Sequence, residues 1–285
     1  MNENGVVYIG IGLPYLALAF SSFESLRRFH PDIPVVIYTD HVSFSKVKRF
    51  PNMWASFDRL YVVDLTPKNN RFGKVSLFDW SPFAKTLFLD ADTEVVSAIT
   101  DIFEYLDYFD FAVRLYYSGL KSSLKAKRRV SLLGEKWTSG SMPHWNSGVF
   151  AFRKCSNVEY LFQLWRDYLS NHSDKGIRSD QGALVEAIFR SPVRVLSLDA
   201  RWNCLTTERA YFTCDENRIL HNCYMGRLDF SSFYRCLELY FERPSGISLD
   251  SLNKFVLQQK KKKYRKMLRY FRLKLSHYVS PVDWV

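Results

Sequence analysis

A chain of 285 residues, 47% hydrophobic and 16% aromatic, can build one large α/β domain or two small ones, which excludes a largely disordered protein. The net charge of +11 is uneven: from Lys254 onward there are ten Lys or Arg and one acid, so residues 1–253 carry 30 basic and 28 acidic side chains, a net of +2. A near-neutral body argues against a nucleic-acid-binding protein. The polar start, Met1-Asn2-Glu3-Asn4-Gly5, lacks a basic region before an apolar core, so no signal peptide is expected. No apolar run approaches the ~18–20 residues that span a bilayer. The odd set Cys155, Cys204, Cys214, Cys223 and Cys236 has no paired spacing and reads as free thiols in a reducing compartment. Cys214, His221 and Cys223 could hold zinc on paper, but the usual Cys-x-x-Cys pair is missing.

In chain order, Val6 to Ile11 reads as a first strand. A helix from about Pro14 to Phe29 follows, with Pro in its first turn, where a missing N–H costs nothing. Ile33 to Tyr38 and Leu60 to Asp64 are further strands, Phe72 to Trp80 is helical, and Lys85 to Leu89 is a fourth strand. Strand and helix alternate, which predicts a mostly parallel sheet with helices on both faces. Gly10-x-Gly12 lacks the third glycine of a dinucleotide fingerprint and reads as a turn.

The apolar run Thr86-Leu87-Phe88-Leu89 leads into Asp90-Ala91-Asp92-Thr93. Its polar end belongs at the carboxyl edge of the sheet, where open α/β folds bind ligands. Two hard oxygen donors there suit Mg²⁺ or Mn²⁺ carrying a diphosphate. The alternative is a pair of turn-capping carboxylates. Next come a short helix, Ile99 to Leu106, and a strand, Phe109 to Leu115. Gly119 to His144 is a basic, weakly periodic loop. Its Lys125, Lys127, Arg128 and Arg129 suit either an anionic ligand or a solvated surface.

Trp145-Asn146-Ser147-Gly148 reads as a polar turn feeding the strand that ends at Phe152. Helix 157–170 has Tyr160, Leu161, Leu164, Trp165 and Tyr168 as its expected buried stripe. Ser179 or Asp180 caps a helix from Ala183 to Phe189. Val193 to Leu196 is a strand, followed by Arg201-Trp202-Asn203 and Ile219-Leu220-His221. His221 is either a third metal ligand or a structural residue.

The order of these pieces resembles the GT-A glycosyltransferases of family 8, which include glycogenin and lipopolysaccharide galactosyl- and glucosyltransferases. The resemblance rests on Tyr15, Lys74, Asp90-x-Asp92, Asn146-Ser147-Gly148, Asp180-Gln181 and His221, and covers roughly residues 5–227. It implies an α/β fold: one GT-A domain over residues 1–245, with a mostly parallel central sheet and a C-terminal tail, 246–285. It also implies an enzyme that moves a hexose from a nucleotide sugar, a UDP-sugar by the family pattern, to a saccharide, glycolipid or protein acceptor with retention.

By the same resemblance Asp90, Asp92 and His221 would hold Mn²⁺ or Mg²⁺, Tyr15 would stack on the uracil, and Lys74 would meet the diphosphate or sugar. Asn146, Asp180 and Gln181 would line the sugar pocket, with Gln181 beneath the anomeric carbon; Asp180 facing the acceptor hydroxyl would instead be a base for inversion. The family's late motif His-x-x-Gly-x-x-Lys-Pro-Trp is altered to His221-Asn222-Cys223-Tyr224-Met225-Gly226-Arg227, so Arg227 would stand in for the lysine. Two other readings are a nucleotidyltransferase that makes nucleotide sugars, which the first loop Gly12-Leu13-Pro14-Tyr15 disfavours because it is not Gly-rich and carries no Arg or Lys, and a non-catalytic protein acting through its tail.

That tail, residues 254–278, places Tyr264, Met267, Leu268, Phe271, Leu275 and Tyr278 on one helical face and basic residues on much of the rest. Such a helix suits an anionic membrane surface, each basic residue contributing ~1 kcal/mol. Nucleic acid is the competing anion. The expected location is cytoplasmic, with peripheral attachment to the inner face of the cytoplasmic membrane.

Overall fold

The computed structural model describes residues 3–48, 59–67, 69–115, 145–174, 180–205 and 216–221, together with position 258. The 119–144 loop, Ser179, Cys214, Cys223, Cys236, Arg227 and the tail apart from position 258 therefore lie outside the described residues.

Seven strands form the main sheet: β1 (Asn4–Gly10), β2 (Val35–Asp40), β3 (Arg59–Val63), β4 (Lys85–Leu89), β6 (Phe111–Leu115), β7 (Trp145–Arg153) and β8 (Val195–Leu198). Their order is β3-β2-β1-β4-β7-β6-β8, and β7 alone runs against its neighbours. Three short strands, β5 (Thr93–Val95), β9 (Cys204–Leu205) and β10 (Ile219–His221), make a second sheet in the order β5-β10-β9. The mostly parallel α/β architecture is as the alternation of strand and helix predicts.

The helices cover both faces, because adjacent strand residues point to opposite sides. Val6, Tyr8, Leu87 and Leu89 pack with α1 (Leu13–Arg27) and with Ile102, Phe103 and Leu106 of a short helix, Ile102–Tyr108. Val7, Phe88, Phe150 and Phe152 pack instead with a long helix, Ser156–Asp174, and with Asp180–Arg190. With α2 (His41–Val47), α3 (Phe72–Val75) and α4 (Leu77–Trp80) placed in chain order, these three are α5, α6 and α7. On the second face Phe150 lies 4.9 Å from Phe88, 5.4 Å from Phe111 and 5.6 Å from Trp165, ring centre to ring centre. Burying each ring contributes about 1.5–3 kcal/mol.

Several local expectations are corrected. Phe72 to Trp80 is two short helices, because Ser76 leaves the α pattern: its N–H donates to Gly73 O at 3.2 Å and its hydroxyl to Phe72 O at 2.9 Å. On α6 Tyr160 is exposed, and the buried stripe is Val158, Leu161, Phe162, Trp165 and Leu169, which share one helical face. Asn146-Ser147-Gly148 is not a turn but lies within β7. There Val113 pairs with Phe150 and the next residue, Arg114, pairs with Asn146. Ser147, Gly148 and Val149 thus bulge away from β6.

One ionic clasp ties the residues just before β6 and β8 to the end of β7. Asp110, fully buried, accepts from Arg153 Nη2 at 2.6 Å, Arg194 Nη2 at 2.9 Å and Arg194 N at 3.0 Å. Burial alone would raise this carboxyl, but the bonds from Arg194 and Arg153 outweigh it and hold it well below the usual range. A depressed carboxyl stabilises the fold above its unfolded pKa and loses that contribution as pH falls through its folded value. Both guanidinium groups are partly exposed, so the contribution is screened. Asp110→Asn should cost about 1–2 kcal/mol in denaturant unfolding at pH 7. The gap from the unaltered protein should close as pH drops below about 4; a gap that persists unchanged to pH 2 would contradict the clasp.

Candidate active site

The carboxyl ends of β1 and β4 open onto a cleft of about 550 Å³. Behind its Tyr15 wall the chain turns at Gly12, whose φ of +88° suits glycine. The Gly12 N–H donates to Asp40 Oδ2 at 2.6 Å, and Asp40 also caps α2 through Ser43 N at 2.9 Å. Burial would raise the Asp40 carboxyl, but the bonds from Gly12 and Ser43 hold it lower. This anchor fixes the first turn of α1 and brings Tyr15 to the cleft wall beside Ile9 and Ile11.

Asp90 follows β4 directly. Its N–H donates to Gly148 O at 2.8 Å, so the bulge in β7 extends the sheet by one bond to the carboxylate. A tight turn follows: Thr93 N–H and hydroxyl both return to Asp90 O, at 3.1 and 2.8 Å. The chain then enters β5, where His221 of β10 pairs with Thr93. This antiparallel register sets the imidazole next to Asp92, although 129 positions separate the two in sequence.

His221 Nε2 lies 3.3 Å from Asp92 Oδ1 and 3.6 Å from Asp90 Oδ2. Donor atoms of Asp90, Asp92 and His221 all fall within 4.8 Å of one another. Adjacent ligands of an octahedral ion with bonds of ~2.1 Å stand about 3 Å apart, so the set fits a divalent cation with little adjustment. Gly148 is required here, because a Cβ on it would strike the His221 ring.

Lys74, on α3, stands between the carboxylates. Its ammonium lies 2.8 Å from Asp90 Oδ1 and 3.7 Å from Asp180 Oδ2, donates to Ser147 O at 3.1 Å, and sits 5.3 Å from the Phe88 ring centre. Burial would lower this ammonium, but Asp90 and Asp180 more than compensate and raise it. Asp90 is raised by burial, with Asp92 adding to that and Lys74 and His221 opposing it. Asp180 goes the other way: burial would raise it, but Lys74 and the 2.6 Å bond from the Ser147 hydroxyl keep it low.

Asp180 is the first residue of α7, and its carbonyl accepts from Trp165 Nε1 at 3.0 Å. Gln181 follows it into the cleft. Asn146 lines the same wall, its Oδ1 accepting from Gly148 N at 2.8 Å. Tyr15, Lys74, Asp90, Asp92, Asn146, Asp180, Gln181 and His221 thus meet in one cleft, whereas Arg227 lies outside the described residues.

Residues that sequence reasoning did not single out join them. Asn70 and Arg71 line the cleft, and Arg71 is exposed and close enough to act electrostatically on Tyr15 and Asp180. The signal available was their position in the turn before Lys74. Ser147 was noted only within its tripeptide, and its hydrogen bond to Asp180 needs β7 and α7 side by side.

No family model matches the chain, and no curated protein matches it by sequence. Solved structures do match by shape. A galactosyltransferase, LgtC, in complex with donor and acceptor sugar analogues has a TM-score of 0.56 at 15% identity, over 86% of this chain and 98% of LgtC. An active-site glutamine-to-glutamate variant of LgtC gives 0.53 at 15%, over 82% and 94%. The glycosyltransferase GlyE of Streptococcus pneumoniae TIGR4 gives 0.55 at 17%, over 90% of this chain and 64% of GlyE. The bifunctional glycosyltransferase WbbM gives 0.59 at 12%, over 91% of this chain and 52% of WbbM. The chain thus spans about two thirds or less of GlyE and WbbM but nearly all of LgtC. Together with the sheet order and the site at its carboxyl edge, these likenesses place the chain in the GT-A glycosyltransferase fold.

Proposed function

We propose that the protein is a metal-dependent glycosyltransferase that moves a hexose from a UDP-sugar to a saccharide, glycolipid or protein acceptor, with retention. The observation that carries this reading is the convergence of Asp90, Asp92 and His221 at the carboxyl end of β4, in a cleft with Lys74 against Asp90. LgtC, of the same fold, was solved with donor and acceptor sugar analogues, which supports the substrate classes.

The three donors fit Mn²⁺ or Mg²⁺, and the imidazole favours Mn²⁺. When bound, the cation supplies Lewis-acid stabilisation of the negative charge that gathers on a departing diphosphate. Lys74 and Arg71 would add positive charge on the same side, and Arg227 is a further candidate from the sequence. Tyr15, beside Ile9 and Ile11, would present its ring to the base. Asn146 and Gln181 would contact the sugar.

Asp180 is poorly suited to accept a proton, because Lys74 and Ser147 stabilise its ionised form. That supports front-face attack with retention over base-assisted inversion. Gln181 would then offer its carbonyl to a short-lived oxocarbenium, and the glutamine variant of LgtC supports attention to that residue type. We propose from the sequence alone that residues 254–278 contact an anionic membrane; among the described residues no helix is long and apolar enough to cross one.

The test is incubation with UDP-glucose, UDP-galactose and GDP-mannose plus Mn²⁺, following slow release of free nucleotide. Absence of hydrolysis together with absence of Mn²⁺-dependent UDP binding would refute the proposal. Asp92→Ala should weaken Mn²⁺-dependent UDP binding by more than about 100-fold, beyond the loss typical of an outer hydrogen-bond partner, while leaving the circular dichroism spectrum unchanged. Deleting 254–285 should abolish cosedimentation with phosphatidylserine vesicles and preserve donor hydrolysis; retained vesicle binding would remove the membrane role from the tail.

A further inference from the structure

Arg201-Trp202-Asn203 has no part in the donor site as described so far, yet it ends against the metal cluster. Asp199 accepts from Arg201 N at 2.8 Å and starts a 3-10 turn over Ala200–Asn203. Trp202 is buried, with the Arg218 guanidinium 4.6 Å from its ring centre. Asn203 is fully buried, and its carbonyl accepts from Arg114 Nη1 of β6 at 2.5 Å. The next residues form β9, in which Leu205 pairs with His221. The backbone of Asn203 is therefore held from both sides, and its side-chain Oδ1 lies 2.8 Å from His221 Nδ1.

A neutral imidazole carries one N–H. His221 turns Nε2 toward Asp90 and Asp92, so ligation there requires the lone pair on Nε2 and the proton on Nδ1. A fixed acceptor facing Nδ1 favours that tautomer and holds the ring angle. An amide oxygen does this without charge. A carboxylate at 203 would add a fourth anion behind Asp90, Asp92 and Asp180. Asn203 Nδ2 is buried and has no hydrogen-bond partner among the described residues, so the bond this side-chain amide makes there is the one from Oδ1 to His221.

We propose that Asn203 is a positioning residue: by accepting Nδ1–H it holds His221 with its Nε2 lone pair toward Asp90 and Asp92, and so sets the affinity of the site for a divalent cation. This rests on the reading of Asp90, Asp92 and His221 as cation ligands. Arg114 extends the connection into β6.

The test uses the full chain. Mn²⁺ affinity is measured by the electron paramagnetic resonance of free Mn²⁺ for the unaltered protein, Asn203→Leu and Asn203→Asp. In parallel, ¹⁵N-histidine NMR of the unaltered protein reads the His221 tautomer, assigned by comparison with His221→Gln. Expected are Nδ1–H in the unaltered protein, Mn²⁺ affinity about 10–100-fold weaker in Asn203→Leu, and recovery to at least the unaltered affinity in Asn203→Asp, which keeps the acceptor. Unchanged affinity in Asn203→Leu, equal loss in a folded Asn203→Asp, or Nε2–H in the unaltered protein would each overturn the assignment. Should Asn203→Leu fail to fold, the tautomer and Asn203→Asp still decide. Absence of Mn²⁺ binding by the unaltered protein would sink the metal reading itself, and the tautomer would show separately whether Asn203 orients His221.

Discussion

The site depends on like charges held close together. Asp90, Asp92 and Asp180 face one cleft, and Lys74 lies 2.8 Å from the first and 3.7 Å from the third. Carboxylates so placed repel one another, and burial makes each harder to ionise. One ammonium offsets part of this. It also sits 5.3 Å from the centre of the Phe88 ring. In the proposed reading the remaining negative charge would draw a divalent cation to this end of the sheet, and a diphosphate would follow once that charge is neutralised.

The fold supplies the rigidity that such crowding requires. Asp90 is bonded through its backbone to the bulge of β7, and the same bulge presents Ser147 to Asp180 and leaves room at Gly148 for the imidazole. A regular β7 would pair Ser147 and Gly148 with β6. The irregularity is therefore the geometric device that lets three elements, β4, β7 and β10, meet at one point.

Much of this was legible in the sequence because it follows local rules. The apolar run before Asp90, the proline at the start of α1 and the alternation of strand and helix all express periodicity that a short window contains. The family pattern linked Tyr15, Lys74, Asn146, Gln181 and His221 before any distance was known. What was not legible depends on register between distant strands. The bulge at Ser147 to Val149, the pairing of His221 with Thr93 and the seat of Asn203 behind the imidazole all arise from partners far apart in the chain. Tyr160 departs from the expected stripe for a smaller reason: it stands among aromatics in the sequence but lies off the helical face that Val158, Leu161 and Trp165 define.

The placement of His221 has a consequence for how the molecule is made. Asp90 and Asp92 are synthesised early, with strands that can pair as soon as they emerge, but the third donor arrives on a strand of three residues near the end of the described domain. Closing so long a loop costs entropy, and so short a strand contributes few bonds to offset it. A cation that binds all three donors would favour the closed arrangement by mass action. The ion would then serve as the last fastener of the domain, and chains interrupted before β10 would keep the central sheet yet hold the metal through two carboxylates alone.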